Sequence, residues 1–347
     1  MKKLYPFKFA PYAKEVVWGG SSLVSGFGKT VPMGEDGNPS ADPSHIGETW
    51  EVSDMAGRLS VVSNGFLAGN DISDLMETYM GEIVGDNAFD YYNIQFPLLI
   101  KLLDICGRLS VQVHPDDVTA GERYGSYGKT EFWYVIDAKP DAEVYMGFKR
   151  DTSAAELYAA CKAGTAQELM NVFHPRKGDF FFVEAGTVHA AAGGVIIAEV
   201  QESSDITFRL YDWGRENNPA TRREMHLEEA LDCIYFKQYD ESKYHGHAGK
   251  GICNIASCNH FGINSIDLTA PRNVNREEIE SFVVYICTEG AAAIEADGET
   301  YALGRGETIL VPAAVDEFTV RPVSEGTHVL EVYLPHITET DGYFDEQ

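Results

Sequence analysis

The chain has 347 residues, 44% of them hydrophobic, with 27 Lys and Arg against 54 Asp and Glu and a formal charge of −27. That length allows two domains or one large one, and the composition is that of a globular protein. So acidic a chain excludes nucleic acid and anionic membrane surfaces as partners, because phosphates need Lys and Arg to displace their counterions. A small anion can still be held where a few cations converge. Met1 to Pro6 carries lysines without a following apolar run, and no stretch approaches the roughly 18 apolar residues of a membrane span. No membrane partner and a cytoplasmic location are expected. The six cysteines are scattered without a Cys-x-x-Cys, so reduced thiols are expected.

In chain order, the first periodic segment is Asp71 to Val84. Leu75, Met76, Tyr79, Met80 and Ile83 fall there on one stripe at helical spacing. Strands are predicted over Phe96 to Leu103, Leu109 to His114 and Glu131 to Ile136, with turn residues between them. Ser153-Ala154-Ala155-Glu156 is a capping-box pattern and predicts a helix running to about Phe173. Strands over Asp179 to Val183 and Val195 to Val200 follow, then a third helix over Met225 to Ile234. Residues 236 to 250 are polar and mark a domain boundary. Further strands are expected over Phe261 to Leu268, Glu280 to Thr288, Ala291 to Ala296, Thr308 to Val311 and His328 to Leu334, before an acidic tail. Helices interrupting a mainly antiparallel strand series give an elaborated β fold.

An internal repeat supports two copies of that fold. Gly306 to Glu317 aligns with Gly178 to His189, each with a glycine, five strand residues and a turn. Where the first copy has Gly186 and His189, the second has Ala314 and Glu317. The second copy keeps the fold and loses the donor.

Gln112 and His114 are two apart in a predicted strand, so both point to one face. His189 stands where the strand after the Gly186 turn begins. Nitrogen and oxygen donors aimed from separate strands into one interior can make a metal site. Gly178 to His189 resembles the Gly-x5-Pro-x-Gly-x-x-His motif of the cupin superfamily, with Glu184 where the proline usually stands. Two other ends, Gly28-Lys29-Thr30 and Gly128-Lys129-Thr130, look like a P-loop. Leu23 and Arg123 stand where that motif needs its first glycine, so neither is a nucleotide site.

Gln112-Val113-His114-Pro115, Lys129-Thr130-Glu131, the Gly186 turn to His189, and Ser204-Asp205-Ile206-Thr207-Phe208-Arg209 follow one another in that order. Together they resemble the type I phosphomannose isomerases, in the shorter bacterial form. Val17 to Gly20, Gly47 to Ser53 and Phe96 to Lys101 add to the resemblance, which runs from about residue 5 to residue 335. It implies a mainly β fold of two cupin (jelly-roll-like) β-barrels with helical insertions. Residues 1–240 would form the catalytic cupin domain, and residues 251–340 a second, degenerate cupin domain without metal.

The resemblance implies interconversion of mannose 6-phosphate and fructose 6-phosphate, with a small-molecule sugar phosphate as partner and a monomer or weak homodimer as the assembly. Its metal is usually zinc, one divalent ion per chain, and the ligands carried over by motif are Gln112, His114, Glu131 and His189. Imidazole and carboxylate suit zinc, and a neutral amide ligand leaves one protein negative charge on the site, so the ion stays a good Lewis acid. Such an isomerase takes a proton from C2 and returns one to C1, and must stabilise the enediolate between. Arg209 is expected at the sugar oxygens, and Lys129 and Lys101 at the phosphate or in proton transfer. Ser110 and Asp205 are expected to bind the sugar phosphate. Two other classes remain open at this point: a cupin dioxygenase or epimerase using iron or manganese, and a non-catalytic sugar-phosphate-binding cupin.

Overall fold

The strand Asp179–Val183 shows how this sequence makes sheet. Asp179, Phe181 and Val183 are buried and the alternate Phe180 and Phe182 are half-buried, so successive side chains take opposite faces. The computed structural model describes residues 2–33, 39–275 and 279–337, and strands dominate them. The expected acidic tail lies outside the described residues. The chain divides into two compact units: Met1–Tyr12 with Trp50–Lys101 and Ala248–Gln347, and Ala13–Thr49 with Leu102–His247.

The unit built on Leu102–His247 holds the predicted donors. One sheet runs in the order His245–His247, Asp179–Val183, Glu131–Ala138 and Val195–Glu202, and Gly19 pairs with Ile105 in the same sheet. The other runs Phe208–Tyr211, Val111–Val113, His189–Ala192, Glu143–Phe148 and Met170–Phe173. Trp133, Val135, Phe181, Val183 and Ile197 from the first sheet share one core with Val144, Met146 and Ala191 from the second. On the second sheet's other face, Val111, Val113, Ala190, Phe208 and Leu210 bury against Leu157, Cys161 and Ala230 of two helices. The sheets are open, so the expected barrels are cupin-like facing sheets and not closed ones.

The two helices predicted in this unit are shorter than their patterns. Ser153 caps the helix Ala154–Ala163 by accepting from Glu156 N–H, and Gly164 ends it at φ 75 with its N–H on Ala160 and Cys161 carbonyls. Met170–Phe173, expected as its last turn, is instead a strand beside Glu143–Phe148. The third helix narrows to Leu227–Leu231. A helix over Asp117–Tyr124, capped by Asp116, was not in the sequence pattern. Residues 236–250 carry a short helix, Glu241–Tyr244, and a strand, His245–His247.

In the other unit Asp71 caps the helix Ile72–Tyr79 with a capping box to Asp74. Met80, at φ 50, breaks the expected Asp71-to-Val84 helix, and a short helix Gly81–Val84 follows. Two more open sheets enclose a core of Val274, Val283, Tyr285, Ile294, Phe318 and Val329, among others. One runs Ile252–Ser257, Gly262–Asp267, His328–Tyr333, Val283–Glu289 and Thr308–Val311; the other runs Arg272–Asn275, Glu317–Pro322, Ala291–Ala296 and Glu299–Gly304. Among the described residues no helix is long and apolar enough to cross a membrane.

Candidate active site

Register brings the donors together. Gln112 lies directly opposite His189 on one side and Arg209 on the other, so the three share a face of the smaller sheet. Glu131 starts its strand in the larger sheet, opposite Val183. Gly186, at φ 86, makes the turn before His189, and a Cβ there would lie 2.8 Å from the Cys233 carbonyl oxygen. The Gly186 N–H also donates to the His114 carbonyl at 2.9 Å, tying the two histidine segments together.

Both imidazoles are oriented from behind. His114 Nδ1 lies 2.9 Å from the Ile206 carbonyl and His189 Nδ1 2.9 Å from that of Thr187. A carbonyl only accepts, so each Nδ1 carries the proton and each Nε2 presents a lone pair. Those Nε2 atoms lie 3.4 and 3.1 Å from the two oxygens of Glu131. Gln112 Nε2 donates to His189 Nε2 at 3.2 Å. Lys129 Nζ donates to His114 Nε2 at 3.0 Å and stands 2.8 Å from Glu131 Oε2. His114, Glu131, His189 and Lys129 are all buried, Glu131 and His189 completely.

Burial, with Lys129 beside it, pushes His114 down to about 3, which keeps the ring neutral. Burial alone would raise Glu131, but Lys129, His114 and His189 outweigh it and hold the carboxyl well below its usual range. Among the described residues neither Glu131 oxygen accepts a hydrogen bond; the Lys129 ammonium is an ionic neighbour, and the two neutral imidazoles are not. A fully buried carboxylate that faces two imidazole lone pairs, with the Lys129 ammonium at one oxygen only, is an arrangement that a further cation would stabilise. The ligand atoms of His114, Glu131 and His189 lie within 4.8 Å of one another, which makes them a candidate metal site. A carboxylate, two neutral imidazoles and a nearby amide are also the right donor types for a divalent ion such as zinc.

Ser110 links this cluster to Arg209. Its buried hydroxyl donates to Gln112 Oε1 at 3.2 Å and accepts from Arg209 Nε at 3.3 Å. Burial and then the neighbouring Arg223 lower the Arg209 guanidinium pKa. Asp205 is exposed on the loop whose Ile206 carbonyl orients His114. Lys101 belongs to the first unit, buried, with its ammonium 5.1 Å above the Trp50 ring.

Residues 7–127 match the family described as phosphomannose isomerase type I, catalytic domain, and residues 251–329 match the mannose-6-phosphate isomerase cupin domain. The mannose-6-phosphate isomerase ManA of Bacillus subtilis is 32% identical over 92% of this chain and 97% of its own length. This chain belongs to the type I mannose-6-phosphate isomerase family. A mannose-6-phosphate isomerase of Streptococcus mutans is 31% identical over 86% of this chain and 90% of its own. The crystal structure of the Bacillus subtilis mannose 6-phosphate isomerase superposes with a TM-score of 0.81 at 28% identity, covering 95% of this chain and all (100%) of that one.

Sequence reasoning missed several residues that support this candidate site. Glu199 is buried and accepts from Trp133 Nε1 at 2.9 Å, and the Trp133 ring stands edge-on to His189 at 5.3 Å. An acidic residue inside the otherwise apolar run Val195 to Val200 was the available signal. The carbonyls of Ile206 and Thr187, and Gln201, which donates to the Ser204 carbonyl at 2.6 Å, carry no side-chain signature of their role. The second pair of sheets repeats part of this pattern. Tyr285 pairs with Glu331 and donates to it, as Trp133 pairs with Glu199. Val283, opposite Val311, stands where Glu131 stands opposite Val183, so that copy has an apolar residue at the carboxylate position.

Proposed function

We propose that this chain interconverts mannose 6-phosphate and fructose 6-phosphate as a metal-dependent aldose–ketose isomerase working through an enediolate. The observation that carries the reading is the buried Glu131 carboxylate facing the Nε2 atoms of His114 and His189, with Arg209 reached through Gln112 and Ser110. Gln112, His114, Glu131 and His189 would hold one divalent ion per chain, zinc by family resemblance. That ion would supply Lewis-acid stabilisation for charge on the sugar oxygens.

The chain's own residues do the rest. Arg209 places a guanidinium beside the donor cluster and offsets charge developing at O1 and O2. Lys129 Nζ, held between a carboxylate and an imidazole lone pair, is in place to move a proton. Lys101, on its motif position, is proposed for the phosphate or for proton transfer, and Ser110, Lys129 and Asp205 for binding the sugar phosphate. Residues 1–240 are proposed as the catalytic cupin domain and 251–340 as a second cupin domain without metal. A cytoplasmic monomer or weak homodimer is proposed as the working form.

Conversion run in deuterium oxide tests this. A proton removed at C2 and returned at C1 through an enediolate puts solvent deuterium at C1 of the fructose 6-phosphate formed. Conversion without any deuterium would replace the enediolate by a direct hydride shift. Binding without conversion would favour a sugar-phosphate-binding cupin.

A further inference from the structure

Asp212 is a completely buried carboxylate just past the strand Phe208–Tyr211 that carries Arg209. It accepts from Arg215 Nη2 at 2.6 Å and from Arg223 through Nε at 3.1 Å and also through Nη2. One buried acid thus ties a residue near each end of the loop 213–223 to the loop's origin, with charge-assisted bonds and a bidentate fork. The backbone is bent to allow it. Trp213 at φ 58 and Gly214 at φ 85 curl the chain so that Arg215 returns to Asp212. A tryptophan in that left-handed region is an outlier, and clustering of such outliers near functional groups is common. Trp213 is held there by its Nε1–H on the Leu109 carbonyl at 2.6 Å and by the Arg108 guanidinium 4.7 Å over its ring.

The loop ends on Arg209. The Glu224 carbonyl, next after Arg223, accepts from Arg209 Nη1 at 2.7 Å. His226 N–H donates to the Arg209 carbonyl at 2.9 Å, and Arg209 N–H to His226 Nδ1 at 3.3 Å. On the other side the guanidinium rests on Ser110 Oγ. Like charges crowd here, since Arg223 and Arg215 both bear on Arg209, and Asp212 is the buried counter-charge beside them.

We propose that Asp212 is a positioning residue for Arg209: by closing the loop 213–223 through Arg215 and Arg223, it sets the Glu224 carbonyl that, with Ser110, aims the guanidinium beside Gln112. This rests on the reading of Arg209 as the group that offsets charge in the isomerisation. Asp212 touches no substrate and acts only through the loop.

Two measurements test it. The first is a double-mutant cycle of Asp212→Asn with Arg209→Ala, read as kcat, KM and bound metal. Asp212→Asn alone should lower kcat by about 10- to 100-fold, with KM and metal content little changed. In the Arg209→Ala background it should add less than about twofold. Multiplicative losses in the double variant would overturn the proposal, because Asp212 would then act independently of Arg209. Arg223→Lys, which keeps charge and gives up the fork, should show the same split to a smaller degree. The second needs no turnover. Folded Asp212→Asn protein should be cut by trypsin after Arg215, Arg222 or Arg223 at least about ten times faster than wild type, because the loop is no longer closed. Cutting at the wild-type rate would overturn the proposal even if the wild-type chain converts no sugar phosphate, an outcome that would separately remove the isomerase reading.

Discussion

Glu131 and Lys129 set the electrostatics of the site in opposite directions. Glu131 Oε2 is 2.8 Å from the Lys129 ammonium, so any cation drawn to that oxygen competes with the ammonium. Lys129→Gln should therefore bind a divalent ion at least as tightly as wild type while losing turnover. Competition against a chromophoric chelator measures the first and an isomerase assay the second; weaker metal binding would show that Lys129 supports the ion. Asp54 offers a separate test on stability. Burial raises it from 3.8 to about 6, against a hydrogen bond from Phe96 N–H and with Asp71 adding to the rise. The folded state thus binds the proton more tightly than the unfolded one. Stability is lost as pH rises from about 4 to about 6, and the loss is complete above that. Asp54→Asn should raise the Tm at pH 7 and leave it unchanged near pH 3.5. An equal gain at both would place the effect outside this titration.

Among the elements, the sheet strands carry the most burial and were the most legible. Asp179–Val183, Ala291–Ala296 and Thr308–Val311 fall where alternation and turn residues put them. Helix ends were less so. The pattern from Ser153 continues past Gly164, yet a left-handed glycine stops the helix, and strand pairing claims Met170–Phe173. Met80 breaks its helix at a position whose apolar side chain gives no warning. In the second pair of sheets, the strand His328–Tyr333 buries Glu331, which accepts from Tyr285 OH, Asn264 Nδ2 and Arg272 Nη1. Removing Arg272 would leave a buried carboxylate without its cation. Arg272→Met should cost about 3–5 kcal/mol in denaturant unfolding, and much of that should return in the double variant with Glu331→Leu. A loss under about 1 kcal/mol would mean the carboxylate is solvated or protonated at little cost.

For the whole molecule, a net charge of −27 opposes a dianionic sugar phosphate at long range. The kcat/KM should rise as ionic strength goes from about 10 to about 150 mM, because salt screens distant charge more than the buried cations nearby. A fall would mean that a local positive potential dominates the approach. At this scale motif order pointed to one neighbourhood: His114, Glu131 and His189 cluster, and the Gln112 amide nitrogen lies against His189 while its oxygen accepts from Ser110. What could not be read were the groups that hold them: backbone carbonyls of Thr187 and Ile206, and the loop closed by Asp212, which depend on chain path. The crossing at 247–248 lies in the polar stretch 236–250, but the others were hidden. Residues 1–12 and 50–101 fall with 248–347, and no composition shift marks those crossings.

The most direct measurement is a titration of metal-free protein with zinc, following conversion of mannose 6-phosphate alongside bound metal. The geometry at Glu131 predicts activity that rises linearly and breaks at one ion per chain, with no activity and no tight ion in His189→Ala. Full activity in chelator-treated protein, or in the His189→Ala variant, would contradict a metal-dependent isomerase at this site.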